Sequence, residues 1–501
     1  MSFYITTPIY YVNAQPHLGH AYTTIACDVM ARHMRQRGED VFFLTGTDEH
    51  GEPVADAAHA LGLEPKELAD RNAERFKVLM PRLSASNDFF IRTSDAEHEA
   101  KVQEILQRVY NNGHVYKGLY EGWYCPKCAD FKVENEIAEG NRCPIHEIPL
   151  ERQQEENWFF RLSTFQEPLE RLYAERPDFV MPSHHFNEAR SFISQGLQDV
   201  SLSRAHLKWG VQVPWDPSHV FYVWFDALLN YYTALTYARP GEDLVPRFWP
   251  ATYHVIGKDI LKFHTVYWPA MLMAAGLPVP EHVFVHGFLL GADGRKMSKS
   301  LGNVLDPFEV MEALGTDALR FYLMRDVPFG GDGAVGMQAV RSRYDTELAN
   351  EYGNLASRTI AMIRRYRDGV IPTAGTDPEL TAEFDGLAGE VARLLDRAEP
   401  TQALEAIWLR VRRLNRYVEE RAPWQLAKDP SQSNALDQTL ASLAEGVRVI
   451  SITLHPYIPA SVEKLLAAIG APELDYAGAG FAEHGSGASV DALEPLFPKP
   501  A

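Results

Sequence analysis

The sequence is poor in cysteine, has no long apolar run and carries fewer basic than acidic residues. Four cysteines in 501 residues are too few for a disulfide scaffold of this length and favour a reducing, cytoplasmic setting. No run of about 18 apolar residues occurs, and the N-terminus lacks the pattern of a secretion signal, so a membrane protein is not expected. With 48 basic and 67 acidic residues the net charge is −19, which excludes a diffuse polycation. Any contact with nucleic acid must therefore use a local basic patch.

The composition is that of a folded globular protein. Hydrophobic residues make up 46% and charged residues 23% of the chain, which provides ample apolar side chains for a core. Since single cores stop growing at roughly 250 to 300 residues, the length predicts more than one domain.

The first hundred residues alternate short β-branched or aromatic runs with helix-period segments, as βαβ units do. Residues 3–7 are predicted as a strand, residues 18–37 as a helix that ends at Gly38, and residues 41–45 as the next strand. This order predicts an α/β fold with a parallel sheet and right-handed crossovers.

The pattern is then interrupted and later resumes. Residues 116–212 contain a cysteine-rich stretch and several prolines, which indicates an insertion. After residue 343 the sequence shows amphipathic helices only, as in a helical bundle. The Gly- and Pro-rich tail at 475–501 is predicted as a surface return strand. Strands of the main sheet are predicted again at 220–224, 253–257 and 283–290.

Four polar strings follow predicted strands directly. They are His17-Leu18-Gly19-His20, Asp48-Glu49-His50-Gly51, Gly257-Lys258-Asp259 and Lys296-Met297-Ser298-Lys299-Ser300. In an open parallel sheet, ligands bind beyond the carboxyl ends of the strands. We therefore expect all four strings to meet at one edge of the sheet.

The first and last of these strings suit a polyphosphate. His17 and His20 start a helix, where free N–H groups and the helix dipole favour an anion, and Gly19 leaves room for a nucleotide. Lys296 and Lys299 lie in a loop with hydroxyls and glycines that can close over phosphates.

The insertion carries a metal-ligand pattern. Cys125 and Cys128 are followed by Cys143 and His146, and three thiolates with one imidazole form a closed tetrahedral set for one structural Zn²⁺. An array of free thiols is the alternative. Cys27 is expected to be a small buried apolar residue.

HLGH followed by KMSKS, within a split α/β domain, resembles the two signatures of the class I aminoacyl-tRNA synthetases. The strings TPIYYVNAQPHLGH, TGTDEHG, YVWFDAL, HVIGKDILKFH, VYWPAML and APWQLAK resemble the methionyl-tRNA synthetases, over nearly the whole chain. The resemblance implies a Rossmann-like catalytic domain at 1–115 and 213–290, divided by a connective insertion with one zinc knuckle at 116–212. It also implies a KMSKS and stem-contact region at 291–343, followed by an all-α anticodon-binding bundle with its tail at 344–501.

The resemblance also implies the activity. Methionine and ATP, with Mg²⁺, would form methionyl-adenylate and diphosphate, and the methionyl group would pass to tRNA(Met) with release of AMP. An insertion of about a hundred residues that holds a zinc knuckle leaves no room for the editing domain of the isoleucine, valine and leucine enzymes. The implied catalytic residues are His17, His20, Lys296 and Lys299, and the ATP-binding residues are these four with Gly19, Gly257, Asp259 and Ser298.

The implied methionine pocket is aromatic, which suits a long and polarizable thioether. Asp48 would pair with the substrate ammonium, since a buried charge needs a partner. This chain departs from many relatives at Leu228, where they carry proline, and in the IYYVNAQP text before HLGH. The implied pocket residues are Ile9, Tyr11, Asp48, Trp224, Ala227, Leu228, Tyr231, Ile260, His264 and Trp268.

The bundle contains a local basic patch, which a chain of this net charge would need for contact with nucleic acid. By resemblance, Asn354, Arg358 and Trp424 would contact the anticodon, and an indole beside Pro423 could stack an unpaired base; a buried Trp424 is the alternative. We expect no membrane contact and a monomer. The arginines of the patch are Arg358, Arg364, Arg365, Arg367, Arg410, Arg412, Arg413, Arg416 and Arg421.

Two other functions are open. A zinc-dependent hydrolase could use Asp48, Glu49, His50, His17 and His20 as ligands, and a second, water-exposed zinc would identify it. An inactive tRNA-binding relative would keep the bundle without activation chemistry, although the intact HLGH and KMSKS strings argue against it.

Overall fold

The computed structural model describes residues 2–127, 130–132, 137–297, 303–481 and 486–498. Cys128, Ser298 and Lys299, which the sequence analysis singled out, lie outside the described residues. The strands are β1 (Ser2–Thr6), β2 (Tyr10–Tyr11), β3 (Asp40–Asp48), β4 (Phe89–Arg92), β5 (Val115–Cys125), β6 (Asp130–Lys132), β7 (Glu151–Phe160), β8 (Val180–Met181), β9 (Val200–Ser201), β10 (Ser203–Arg204), β11 (Val220–Phe221), β12 (Tyr253–Gly257), β13 (His282–His286), β14 (Leu289–Gly291) and β15 (Gly333–Val335).

Helices connect these strands and make up the C-terminal third of the chain. Two segments, Phe263–Tyr267 and Tyr344–Gly353, are π-helical. The α-helices are α1 (Leu18–Gln36), α2 (Glu52–Ala60), α3 (Pro65–Arg82), α4 (Ala96–Asn111), α5 (Gln166–Glu175), α6 (Ser183–Ser194), α7 (Val223–Ala227), α8 (Asn230–Tyr237), α9 (Val245–Phe248), α10 (Trp268–Ala274), α11 (Pro307–Leu314), α12 (Thr316–Asp326), α13 (Met337–Arg343), α14 (Asn354–Tyr366), α15 (Pro378–Phe384), α16 (Leu387–Asp396), α17 (Pro400–Arg421), α18 (Pro423–Leu426), α19 (Ser433–Leu454) and α20 (Pro459–Ala468).

The predicted parallel sheet is present and is split along the sequence. Its strands lie in the order β2-β3-β1-β12-β13-β8, with β4 also paired to β3, and every pairing is parallel. β1 therefore lies beside β12, about 250 residues later, with Ile5 opposite Tyr253. All five residues of β12 are buried, as expected for a parallel strand covered on both faces.

Two strand predictions in the second half are wrong. Residues 220–224 do not join the main sheet: Val220–Phe221 pairs antiparallel with Ser203–Arg204, and Trp224 lies on the short helix α7. In a short aromatic run that is buried on all sides, the hydrophobic pattern does not distinguish a strand from a helix. The segment 283–290 is divided between β13 and β14, and β14 pairs with β15 in a separate two-stranded sheet. Lys296 therefore follows this small sheet, not the main one.

The segment between the two halves of the main sheet forms a second, antiparallel sheet. Its strand order is β6-β5-β7-β9, and β5 and β7 pair along almost their whole length, from Val115 opposite Phe160 to Tyr124 opposite Glu151. Cys125, the last residue of β5, stands at the far end of this hairpin. β8, from the same segment, instead joins the edge of the main sheet.

The helix that begins with HLGH is buried along most of its length and joins the sheet to the C-terminal bundle. α1 contacts α12, α16 and α17. On its inner face Asp28 forms a fully buried ion pair with Arg320 of α12, at 2.7 Å. Arg320 also donates to the backbone carbonyls of Leu83, Pro456 and Tyr457. One guanidinium thus holds α1 and the C-terminal bundle together.

Replacing Arg320 by leucine should lower the free energy of unfolding by about 3 kcal/mol or more, because the buried Asp28 loses one of its two arginine partners and three backbone carbonyls lose their donor. The measurement is the midpoint of urea unfolding. Arg416→Leu is the control, since Arg416 is exposed and its contact with Glu420 is a surface i,i+4 pair, which contributes little. Equal midpoints for the two variants would contradict this account of Arg320.

The tail does not form the predicted return strand within residues 475–481 and 486–498. It contains a 3₁₀ turn at Tyr476–Gly478 and one isolated bridge between Val370 and Ser489. Phe497 is buried and contacts the rings of Tyr344 and Tyr352. The tail is thus held by side-chain burial on the bundle. Among the described helices, none combines the length and the apolar character needed to cross a membrane.

Candidate active site

A cavity of about 380 Å³ opens at the carboxyl ends of the main-sheet strands. It lies where β1 and β12 are neighbours and their following segments diverge, which is the usual ligand position in an open parallel sheet. Many residues singled out in the sequence line it. They are Ile9, Tyr11, His17, Gly19, His20, Asp48, Trp224, Ala227, Leu228, Tyr231, Gly257, Asp259, Ile260 and His264.

The two histidines of HLGH cap α1 and each other. The Nδ1 atom of His17 accepts from the N–H of Gly19 at 3.1 Å, and the Nδ1 atom of His20 accepts from the N–H of His17 at 3.0 Å. Their rings stack with centroids 3.7 Å apart. Since both Nδ1 atoms accept, each neutral imidazole carries its proton on Nε2. The cap therefore leaves two Nε2–H donors at the cavity.

Both imidazoles are held neutral. Desolvation lowers the pKa of His17, although Asp259 acts in the opposite direction. Burial and the neighbouring His17 place the pKa of His20 well below its usual value. At neutral pH the pair thus acts as two hydrogen-bond donors without a full positive charge. Gly19 fits closely here, because a Cβ on it would lie 3.0 Å from Cε1 of His17.

One end of the cavity is aromatic. The ring of Trp224 stacks on Phe263 with centroids 3.8 Å apart. His264 Nδ1 donates to the carbonyl of Ile260 at 3.0 Å, so its Nε2 accepts from the hydroxyl of Tyr231 at 2.7 Å. Burial lowers the pKa of His264 to about 4. This end is therefore a neutral wall with fixed rings.

Trp268 does not line this wall. It is fully buried on α10 behind Tyr231, with ring centroids 6.0 Å apart, and its Nε1–H donates to His254. Trp268 contacts the wall from behind, and so it supports the position of Tyr231.

Asp48, at the end of β3, is the buried charge of the cavity. Its side chain is 3% exposed, and Oδ1 has no hydrogen-bond partner. Burial and the nearby carboxylate of Asp226 hold the pKa of Asp48 well above its usual value, although His50 acts in the opposite direction. A carboxylate in this state lacks a cation.

The other end of the cavity carries Gly257 and Asp259. A Cβ on Gly257 would lie 2.6 Å from Oδ1 of Asp259, so a larger residue here would displace the Asp259 carboxylate. Burial raises the pKa of Asp259, while Lys296 and His17 lower it. Lys296 is exposed and does not line the cavity, but its charge acts on Asp259.

Several lining residues were not predicted from the sequence. His286 ends β13, as Asp48 ends β3, and its Nε2 lies 2.8 Å from the hydroxyl of Thr23 on α1. The signal that could have revealed it is its place at a strand end. The missed residues are Pro8, Tyr10, Asn13, Ala14, Tyr22, Thr23, Asn230, His286, Gly287, Phe288 and Leu289.

Comparison with known proteins agrees with this geometry. The family described as "tRNA synthetases class I (M)" matches residues 3–360. A methionine–tRNA ligase of Caldanaerobacter subterraneus is 46% identical over 94% of this chain and 74% of its own length, and that of Rhizobium meliloti is 45% identical over 99% and 98%. The Mycobacterium tuberculosis methionyl-tRNA synthetase in complex with methionyl-adenylate superposes with a TM-score of 0.95, at 41% identity over 99% of this chain and 100% of that one.

The chain belongs to the methionyl-tRNA synthetases. The family resemblance seen in the sequence, and with it the class I fold, is confirmed. The zinc-hydrolase alternative is wrong. In this synthetase His50 is bonded to Asp226, and Asp48, Glu49, His50, His17 and His20 do not form a metal-binding group among the described residues.

The synthetase does bring three metal-ligand atoms together at the end of the β5–β7 hairpin. The Sγ atoms of Cys125 and Cys143 lie 3.9 and 3.7 Å from Nδ1 of His146, and the three atoms lie within 4.8 Å of one another. Ligands of a tetrahedral zinc with bonds of about 2.0 to 2.3 Å are about 3.6 Å apart. The described side chains therefore fit a zinc ion.

The bundle of the synthetase presents Asn354, Arg358 and Trp424 near the start of α14. Asn354 is exposed, and the guanidinium of Arg358 lies 5.7 Å from the half-buried ring of Trp424 and 2.9 Å from Glu419. Most of the predicted basic patch is paired with acidic side chains. The paired arginines are Arg358, Arg367, Arg412, Arg413 and Arg416.

Proposed function

We propose that the cavity binds L-methionine and ATP side by side and that the chain is a methionine–tRNA ligase, as its relatives are named. The observation that carries this proposal is one cavity that joins three features. These are a neutral aromatic wall, a buried carboxylate whose Oδ1 has no hydrogen-bond partner, and a pair of Nε2–H donors.

The methionine side chain would lie against the rings of Trp224 and Tyr231, and its ammonium would pair with Asp48. A thioether is unbranched and polarizable, so fixed aromatic surfaces suit it. The remaining proposed contacts come from Ile9, Tyr11, Ala227, Leu228, Ile260 and His264, with Trp268 supporting the wall.

The first reaction is attack of a methionine carboxylate oxygen on the α-phosphorus of ATP. An O–P bond forms, the bond between the α-phosphorus and its bridging oxygen breaks, and diphosphate leaves. The Nε2–H groups of His17 and His20 would donate to phosphate oxygens as charge develops in the transition state. Lys296 and Lys299 would neutralise the leaving diphosphate, and no covalent enzyme intermediate is needed.

Recognition of the nucleoside would use the other end of the cavity. Gly257 and Gly19 leave room beside the backbone, and Asp259 would accept a hydrogen bond from a ribose hydroxyl. Ser298 would complete the phosphate contacts. Mg²⁺ would enter with ATP, bound to phosphate oxygens. In the second reaction a hydroxyl of the terminal adenosine of tRNA(Met) attacks the methionyl carbonyl, and AMP leaves.

The domain assignment follows this chemistry. We assign 1–115 and 213–290 to the catalytic domain, 116–212 to the connective insertion, 291–343 to the KMSKS and stem-contact region, and 344–501 to the anticodon-binding bundle with its tail. In the bundle, Asn354, Arg358 and Trp424 would contact the anticodon. We propose a monomer, acting in the cytoplasm with its substrates.

Exchange of labelled diphosphate into ATP that depends on methionine tests the function. Exchange with methionine supports the ligase. Exchange that depends on leucine instead of methionine would mean that leucine is the substrate. No exchange with any amino acid would instead favour the inactive tRNA-binding relative.

Cys125, Cys128, Cys143 and His146 would hold one structural zinc, which supplies four fixed bonds between distant parts of the knuckle. Cys143→Ser should release the zinc, and the melting temperature should fall, because the metal binds only the folded knuckle. The measurements are metal content and thermal unfolding. Cys27→Ser is the control, because Cys27 is buried on α1 and is not one of the proposed zinc ligands. The Cys27→Ser protein should keep one zinc ion per chain.

A further inference from the structure

A chain of buried hydrogen bonds lies behind the methionine end of the cavity. The Nδ1 atom of His50 lies 2.6 Å from Oδ2 of Asp226, and Nε2 of His98 lies 2.8 Å from Oδ1 of the same carboxylate. Nδ1 of His98 lies 2.7 Å from the hydroxyl of Thr233. All four side chains are at most 2% exposed, and none of them lines the cavity. They cannot touch substrate directly.

The network joins the elements that form the proposed methionine site. Asp226 lies on α7, the short helix that also carries Trp224, and His50 follows Asp48 by two residues at the end of β3. His98 comes from α4. The imidazole of His50 also packs against the ring of Trp209, with centroids 5.0 Å apart. The position of the aromatic wall relative to Asp48 therefore depends on these bonds.

The charged groups around Asp48 come from three elements. Asp226 and Glu49 face it as like charges, and the phenol of Tyr231 lies close enough to feel its charge. Glu49 is paired with Arg92 at 2.7 Å. The carboxylate of Asp226 is thus the like charge that His50 and His98 must compensate.

His50 is well placed to do so. Burial lowers its pKa, but Asp226 and Glu99 outweigh this and raise the pKa of His50 to about 10. Glu99 lies 3.5 Å from Nε2 of His50 and is 42% exposed. Burial raises the pKa of Asp226, and the two histidines lower it to about 2. At neutral pH the pair is an imidazolium and a carboxylate.

We propose that His50 and His98 are positioning residues that compensate the charge of Asp226, so that Asp48 can carry the negative charge that pairs with a substrate ammonium. The inference rests on the role proposed for Asp48. Without the cation at His50, two carboxylates face each other in a buried site, and such a pair retains a proton. Asp48 is then harder to ionise than in the wild type, and its attraction for the ammonium weakens.

The test isolates the ammonium contribution. Two competitive inhibitors are compared, methioninol and 4-(methylsulfanyl)butan-1-ol, which differ only by the amine. In the wild type the amine should improve the inhibition constant by roughly 30-fold or more, as for a buried charged pair. In His50→Gln, which keeps a hydrogen-bond donor but no charge, this ratio should fall about tenfold at about pH 6.5 and rise again as the pH is raised, because Asp48 ionises only at higher pH.

Controls separate charge from folding. His59→Gln, at an exposed position of α2, should keep the wild-type ratio at each pH. If His50→Gln does not fold, the same measurement on His98→Leu decides, because Asp226 then loses one of its two hydrogen-bond donors. In that variant the ratio of the two inhibition constants should also fall, by about threefold.

Three results would overturn the inference. A wild-type ratio near one would remove the ammonium role of Asp48 and with it this inference. A high ratio that both variants keep would refute the inference and leave the proposed role of Asp48 intact. Equal weakening of both inhibitors without pH recovery would show that the network acts only on packing.

Discussion

Asp48→Asn should raise the KM for methionine by about 100-fold or more in the exchange assay, with little change in the KM for ATP. The variant keeps the shape of the side chain and removes its charge. The proposed ammonium would then be buried without a partner, which typically costs 2 to about 5 kcal/mol, and each 1.4 kcal/mol corresponds to about a factor of ten. Asp56→Asn, at an exposed position of α2, is the matched control and should leave both KM values unchanged.

The same substitution should not weaken the fold. Because the pKa of Asp48 is raised in the folded protein, its ionisation opposes folding. This penalty is absent below the pKa of the unfolded chain, where both states are protonated, and complete above the folded-state pKa. Asp48→Asn removes it, so the free protein should melt at the same or a higher temperature near pH 8. A large loss of methionine affinity without any loss of stability identifies a functional charge.

The pH dependence of methionine binding gives an independent check. Protonated Asp48 has no charge for the ammonium, so in the wild type the KM for methionine should rise as the pH falls below the raised pKa of Asp48. In Asp48→Asn the KM should not change over that range. A wild-type KM that is flat through acidic and neutral pH would contradict the assignment.

Local sequence signals predicted the parts of this site that a strand end or a helix start defines. Asp48 ends β3, Gly257 ends β12 and His17 precedes α1, and all of them line the cavity. These positions follow from one rule about parallel sheets. His286 obeys the same rule at the end of β13, but the predicted strand extended to residue 290, and so the histidine looked internal.

What the sequence could not predict depends on packing between distant segments. The sequence pattern predicts a strand at Trp224, yet this residue lies on α7 and still reaches the cavity. Trp268 lies in an apolar segment that is buried all around, and no pattern within it shows which side faces the pocket. The network of His50, Asp226 and His98 joins three separate elements, so no spacing along the chain reveals it.

The HLGH pair allows a sharper separation of roles than removal of a side chain. In His20→Asn the amide oxygen can take the place of Nδ1 and keep the cap on the N–H of His17, while the donor at the Nε2 position is lost. We expect kcat for adenylate formation to fall by about 10²- to 10³-fold, the usual loss for one donor to a developing charge. The KM for both substrates should change little, since the bond strengthens only in the transition state.

His20→Gln reverses the arrangement, because its longer amide can place an N–H near the Nε2 position but no acceptor at Nδ1. It should recover at least tenfold of kcat over His20→Asn, although its cap is weaker. Burial keeps the pKa of His20 well below its usual value. The pH profile of wild-type kcat should therefore show no titration of His20 between about pH 6 and about pH 8, and the profiles of the two variants should have the same shape there. An ionisation in that range that disappears in both variants would mean that an imidazolium acts on the phosphates, and the neutral-donor mechanism would have to be abandoned.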